Sequence, residues 1–147
     1  MADTARTQET AARIVVGIDG SASSKAALRW AAQYAKLTGL PIAAVTVWSF
    51  PVSWGWSPPW PQEFSPEQNA RAVLEETISE VLGAGPGVAV EILVLEGHPA
   101  PVLVEQSRSA ELLVVGSRGH GEFFGMLLGS VSEFLTAHAH CPVVVVR

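Results

Sequence analysis

The sequence predicts an α/β fold: an open five-stranded parallel sheet with helices on both faces. Two observations predict it. Short continuous apolar runs, such as Ile14-Val15-Val16-Gly17-Ile18 and Leu112-Leu113-Val114-Val115, lack polar alternation and read as strands buried on both faces. Segments with helical apolar spacing separate these runs, giving the order β-α-β-α-β-α-β-α-β. Right-handed crossovers leave few topologies open to such a chain. In one of them, the order 3-2-1-4-5, strands one and four are neighbours.

The first strand ends in turn chemistry at Asp19-Gly20-Ser21. Ser23 or Ser24 then caps a helix reaching about Thr38, with Ala27, Trp30, Ala31, Tyr34 and Ala35 on one face and Gly39 closing it. Ile42 to Trp48 reads as the second strand. A stretch rich in proline and tryptophan follows, residues 49–64, with Trp54, Trp56 and Trp60. Ser65-Pro66-Glu67 opens the second helix with a cap and a first-turn proline. Ala70, Val73, Leu74, Ile78, Val81 and Leu82 form its inward positions, and Gly83 to Gly87 breaks it. The third strand is expected over 88–95 and a short helix over 99–110, with Val102, Leu103 and Ala110 as its inward candidates. After the fourth strand a glycine-punctuated loop over 116–129 leads to a helix over 130–140. Val143 to Val146 is the last strand. No linker or internal repeat divides the chain, so residues 1–12 read as a flexible lead-in and 13–147 as one domain.

Composition narrows the function classes. Apolar residues make up 48% of the 147 and charged residues 16%, enough for a sizeable core. A net charge of −5, with Lys25 and Lys36 as the two lysines, argues against nucleic acid, whose phosphates need clustered basic side chains. One cysteine, Cys141, cannot form an internal disulfide and fits a reducing compartment. The polar N-terminus lacks the apolar core of a signal peptide, and no apolar run is long enough to span a bilayer. The expectation is a cytoplasmic protein that contacts no membrane.

In doubly wound sheets ligands bind beyond the carboxyl ends of the strands, where the strand order reverses. The loops after strands one and four would open there together. In the second of them, Gly116 and Gly119 allow close backbone approach to a ligand. Gly129-Ser130 sits where the next helix begins, so the N–H groups of Ser130, Val131 and Ser132 point outward as an anion site, helped by the helix dipole. The hydroxyls of Ser130 and Ser132 are further candidate donors, and Arg118 and His120 are the nearby side chains able to carry positive charge. Turn geometry and an ordinary Ser130 N-cap would explain the same residues without any phosphate. Neither GxxxxGK[ST] nor GxGxxG is present.

The spacing decides further. Gly116-x2-Gly119-x9-Gly129-Ser130 has the full G-x2-G-x9-G-[S/T] pattern of the ATP-binding branch of the universal stress proteins. With glycine at about 7% usage, fewer than roughly one chain in a hundred would match by chance. The chain also resembles this family in Val15-Val16-Gly17-Ile18-Asp19-Gly20-Ser21, in Leu113 to Gly121, and in the ending Cys141-Pro142-Val143-Val144-Val145-Val146. The resemblance implies a Rossmann-like sheet of the adenine nucleotide alpha hydrolase type, in the 3-2-1-4-5 order. It further implies nucleotide contacts from Gly17, Ile18 and Asp19 after the first strand, Asp19 on the ribose side, and from Val47 beside the adenine. Val115, Gly116, Arg118, Gly119, His120, Gly129, Ser130, Val131 and Ser132 would wrap the ribose and phosphates. ATP with Mg²⁺ or another divalent metal is the implied ligand, and a homodimer through strand Val143 to Val146 the implied assembly.

The loop over 49–64 departs from the family pattern. It reads as a rigid cover for apolar surface, a lid beside the adenine, or a protein-partner patch, since clustered tryptophans are enriched at interfaces. Phe123 to Leu128 reads mostly as packing. His138 and His140 lack ligand-like spacing with Cys141, which argues against a zinc site. No Walker lysine or carboxylate pair suits phosphoryl transfer, so slow ATP hydrolysis is the most the residues support. The expected function is ATP-linked regulation of partner binding in a stress response. The rivals are a nucleotide-independent interaction protein of the same fold, or a slow ATPase.

Overall fold

The computed structural model describes residues 12–50, 65–85, 87–119 and 128–147. Among the described residues nine elements alternate: β1 (Ile14–Gly17), α1 (Ala22–Thr38), β2 (Ile42–Trp48), α2 (Pro66–Leu82), β3 (Val90–Glu96), α3 (Pro99–Ser107), β4 (Leu112–Gly116), α4 (Ser130–His138) and β5 (Val143–Val146). The strands form one parallel sheet in the order β3-β2-β1-β4-β5. This is the expected order, with β1 and β4 adjacent.

The apolar runs form strands because both sides of the sheet are covered. Ile14 and Val16 face one way, into a cluster with Ala27, Leu28, Ala31 and Ala35 of α1 and Leu74 of α2. Val15 faces the other way, into a cluster with Leu103 of α3 and Leu135 of α4. A strand sends successive side chains to opposite faces, so a sheet with two covered faces needs an uninterrupted apolar run. Complete burial of each such Ile or Leu contributes on the order of 1.5–3 kcal/mol. Trp30 and Tyr34 stack 5.3 Å apart on the outer side of the first cluster. Among the described residues, no helix is long and apolar enough to cross a membrane.

Several boundaries differ from expectation. Ser21, rather than Ser23 or Ser24, caps α1, accepting the Ser24 N–H. The sequence offers three serines there, Ser21, Ser23 and Ser24, and the turn at Asp19 decides among them. Strand β3 begins at Val90 rather than 88, because the glycine turn with Gly85 and Gly87 at positive φ carries the chain further before it pairs. Helices α3 and α4 stop at Ser107 and His138, short of 110 and 140. Val73 is 41% exposed, whereas Thr77 is buried in its place. The Thr77 hydroxyl donates to the Val73 carbonyl at 2.7 Å, which allows a polar residue on the inner face. The tryptophan stretch lies outside the described residues apart from Ser49 and Phe50, as do residues 1–11.

Candidate functional site

The two loops meet beyond the carboxyl ends of β1 and β4, where the chain order reverses from β2 on one side to β5 on the other. The first loop is set locally. Ile18 donates its N–H to Val45 at 2.8 Å, prolonging the pairing by one residue. The Asp19 carboxylate accepts the Ser21 N–H at 2.9 Å, a side-chain turn over Gly20, whose φ of 83° favours a residue without Cβ. Ser24 then donates its hydroxyl to the Ser21 carbonyl at 2.9 Å.

The second loop is held at both shoulders. Ser117, 3% exposed, donates its N–H to Val146 of β5 at 2.7 Å. Its carbonyl accepts the Gly129 N–H and the Ser132 hydroxyl. Arg118 follows, exposed, with its backbone bonded to the Ser23 hydroxyl. Gly116 leaves no room for a side chain: a Cβ there would lie 2.6 Å from the Ser23 carbonyl carbon. Gly116 thus permits a close approach of α1, and it also lines the cleft described below.

Helix α4 begins at Ser130, with Gly129 in the cap position and no side-chain cap. The first intrahelical donor is Glu133, bonded to the Gly129 carbonyl at 3.0 Å. The N–H groups of Ser130, Val131 and Ser132 thus precede the helical ladder. The Ser132 hydroxyl does not add to them, because it is buried and placed within 3.0 Å of the Gly129 carbonyl and 3.1 Å of the Ser117 carbonyl. Ser130, not Gly129, was the cap candidate; it instead stands as the first helical residue, exposed.

Between the loops opens a cleft of about 610 Å³, counting its open mouth. Gly17, Ile18, Asp19, Val47, Val115 and Gly116 line it, and so do Arg118, Gly119, Gly129, Val131 and Ser132. Of the residues singled out in the sequence, Ser130 adjoins the cleft without lining it, and His120 lies outside the described residues. Ser24, Val45, Pro99 and Leu103 line it as well. Val45 could have been found, since it precedes Val47 by one strand period. Pro99 and Leu103 come from α3, which carries no glycine signature.

The lining is divided. Val45, Val47, Pro99, Leu103 and Val115 make one wall apolar. At its edge stands the backbone of Val47. Val45 accepts from Ile18 on the β1 side, and Trp48 accepts from Gly97 on the β3 side. By alternation the N–H and C=O of Val47 face the β1 side, but the registered β1–β2 pairs end at Gly17 and Val45. One donor and one acceptor therefore border the apolar wall, past the end of β1. Arg118 and the start of α4, at Gly129, Val131 and Ser132, line the rest. Such an arrangement suits a flat apolar group with a polar edge joined to an anion.

The Universal stress protein family profile matches residues 11–147. The chain belongs to this family. It is 37% identical over 140 residues to a universal stress protein of Mycobacterium tuberculosis (strain ATCC 25618 / H37Rv), an alignment covering 91% of this chain and 47% of that protein. The chain thus spans about half the length of the curated relatives it matches. Among solved structures, it resembles a universal stress protein in complex with cAMP, with a TM-score of 0.66 and 28% identity, covering 92% of this chain and 96% of that one. It also shares its fold with a universal stress protein of Archaeoglobus fulgidus in complex with dAMP, at a TM-score of 0.63 and 23% identity, covering 94% and 99% of the two chains.

Proposed function

We propose that this universal stress protein binds ATP in the cleft and that nucleotide occupancy regulates its contacts with partners. One observation carries the reading: of the four helices among the described residues, α4 alone starts with neither a capping side chain nor a proline in its first turn. Ser21 caps α1, and Ser65 caps α2 with Pro66 behind it. Helix α3, whose start also lines the cleft, has Pro99 and Pro101 in its first turn, residues without an N–H. The start of α4 therefore presents N–H groups with no side chain over them, on the Arg118 side, while the α3 side is left apolar. The base belongs against Val45, Val47, Pro99 and Leu103, and the phosphates against α4 and Arg118.

The Val47 donor and acceptor complement the N1 acceptor and N6 donor of adenine. The solved relative at 28% identity holds cAMP, an adenine nucleotide, which supports this choice of base. Among the described residues no three His, Cys, Asp or Glu side chains gather into a metal site. In this reading a divalent metal accompanies the triphosphate. The link to partner contacts is physical. Ser117, at the neck of the loop, bonds Val146 at the end of β5, an edge strand with one side unpaired within the sheet. A second copy of the chain pairing at β5, as the sequence resemblance implies, would share strands with the nucleotide loop.

The test is calorimetric titration of ATP and Mg²⁺ into nucleotide-free protein, beside a Ser130→Pro variant. Proline is favoured at the first helical position, and the ψ of 166° at Gly129 suits a residue before proline. The variant should keep its fold and lose about tenfold in ATP affinity, as one charge-assisted donor disappears. Wild-type protein with no saturable ATP binding would sink the proposal.

A further inference from the structure

We propose that Ser23 is a positioning residue of the cleft, fixing the backbone of Arg118 so that this residue is set for phosphate before ligand arrives. The inference rests on the nucleotide reading above and adds a residue that does not itself line the cleft.

The Ser23 oxygen meets both peptide groups flanking Arg118, and the Ser21 hydroxyl also donates to the Arg118 carbonyl, at 3.5 Å. The Ser23 hydroxyl donates to the Arg118 carbonyl and accepts the Arg118 N–H at 3.3 Å, across 95 positions of sequence. A hydroxyl has one proton and two lone pairs, so it can do both at once. Room for the contact comes from Gly116, where a Cβ would lie 2.6 Å from the Ser23 carbonyl carbon and 2.8 Å from its Cβ. Ser23 stands in the first turn of α1, behind a cap that is itself fixed by the Asp19 turn. On the other side Ser117 is held by β5 and α4. Arg118 is thus bracketed between two anchored neighbours, and its exposed side chain leaves from a fixed backbone.

Ordering a loop on binding costs conformational entropy, and a loop ordered in advance removes that cost from the affinity. Among the described residues the side-chain hydrogen bonds of Ser23 go to Arg118, on the phosphate side of the cleft in this reading. Helix formation does not explain the serine: alanine has the higher helix propensity at a first-turn position away from the cap.

The experiment is calorimetry with ATP–Mg²⁺ and with adenosine on wild type, Ser23→Ala and Ser23→Thr, each freed of co-purified nucleotide and checked by thermal melting. Loss of the clamp should weaken ATP binding about 5- to 10-fold, leave adenosine binding within about twofold, and be largely restored by the threonine hydroxyl. Unchanged ATP affinity in Ser23→Ala overturns the proposal. Equal losses for ATP and adenosine overturn it too, because they report general damage to the cleft. Wild type that binds neither ligand overturns this inference together with the nucleotide reading, whereas tight wild-type binding with an indifferent Ser23→Ala overturns this inference alone. If Ser23→Ala does not fold, Ser23→Cys, of similar shape and weak as a donor, carries the same comparison.

Discussion

The hydroxyl of Ser132 donates to the carbonyl of Ser117 across 3.1 Å, joining the first turn of α4 to the end of β4. The Gly129 N–H reaches the same carbonyl. Both shoulders of the glycine loop are therefore closed on one acceptor, and the start of α4 keeps its place relative to the sheet whatever lies between. Ser132 is 2% exposed, so replacing it with alanine strips buried carbonyls of a donor. Ser132→Ala should lower the unfolding free energy by about 1–2 kcal/mol and weaken ATP binding as the α4 N-terminus loosens. Urea denaturation and ATP titration read the two effects. A variant matching wild type in both would show that the neck is closed by Gly129 alone.

Gly17 and Gly116 both end strands beside the cleft, yet alanine should cost very different amounts at the two. At Gly17 a Cβ would meet Leu103 Cδ1 at 3.1 Å and Val115 Cγ1 at 3.2 Å, the ends of side chains that can shift by a few tenths of an ångström. At Gly116 it would meet the backbone and Cβ of Ser23, which cannot move without α1. Gly116→Ala should therefore cost about 2–3 kcal/mol and Gly17→Ala about 1 kcal/mol or less. Equal denaturation midpoints for the two variants would contradict the packing described around Ser23.

Much of this was legible in the sequence, and the reason lies in what local chemistry encodes. Runs such as Leu112-Leu113-Val114-Val115 announce strands covered on both faces, and the glycines at 116, 119 and 129 announce the loop. The cap of α1 was misplaced because Ser21, Ser23 and Ser24 are all able to cap, and only the Asp19 turn selects Ser21. Val73 looked inward by spacing, but Thr77 satisfies its hydroxyl on Val73 and takes the buried position. The bond from Ser23 to Arg118 joins residues 95 apart, and no local pattern announces it. The α3 wall was missed for a similar reason: Pro99 and Leu103 reach the cleft through tertiary packing alone.

The proposed preference for adenine rests on Val47. Its N–H and C=O lie past the last β1–β2 pair, beside an apolar wall. Adenine offers an acceptor at N1 and a donor at N6, whereas guanine reverses both. Guanine would leave buried donors facing donors and acceptors facing acceptors, at about 1–3 kcal/mol for each unpaired group. ATP should therefore bind at least about tenfold more tightly than GTP under the same Mg²⁺ concentration. Competition of GTP against a fluorescent ATP analogue measures the ratio, and a ratio near one would mean that the Val47 backbone does not read the base.

Cys141 precedes β5 and offers a pH-dependent reporter of that edge. Its half-buried thiol lies 3.4 Å from the Pro142 carbonyl. Burial pushes its pKa above the ordinary 9.0, and the negative charge of Glu111 adds to the rise against a hydrogen bond from the Leu113 backbone. The thiolate, not the thiol, attacks alkylating reagents. At neutral pH iodoacetamide should thus modify the native protein more slowly than a cysteine peptide, and urea-unfolded protein should react at the peptide's rate. The stability consequence has one sign. The folded state holds its proton more tightly than the unfolded state, so this contribution is complete below the unfolded pKa and is lost as pH rises through the folded one. Cys141→Ala should accordingly reduce the fall in unfolding free energy on the alkaline side of about pH 9, where the unfolded thiol ionises first. A native protein alkylated at the full peptide rate at pH 7 would mean that the strand edge leaves the thiol in water.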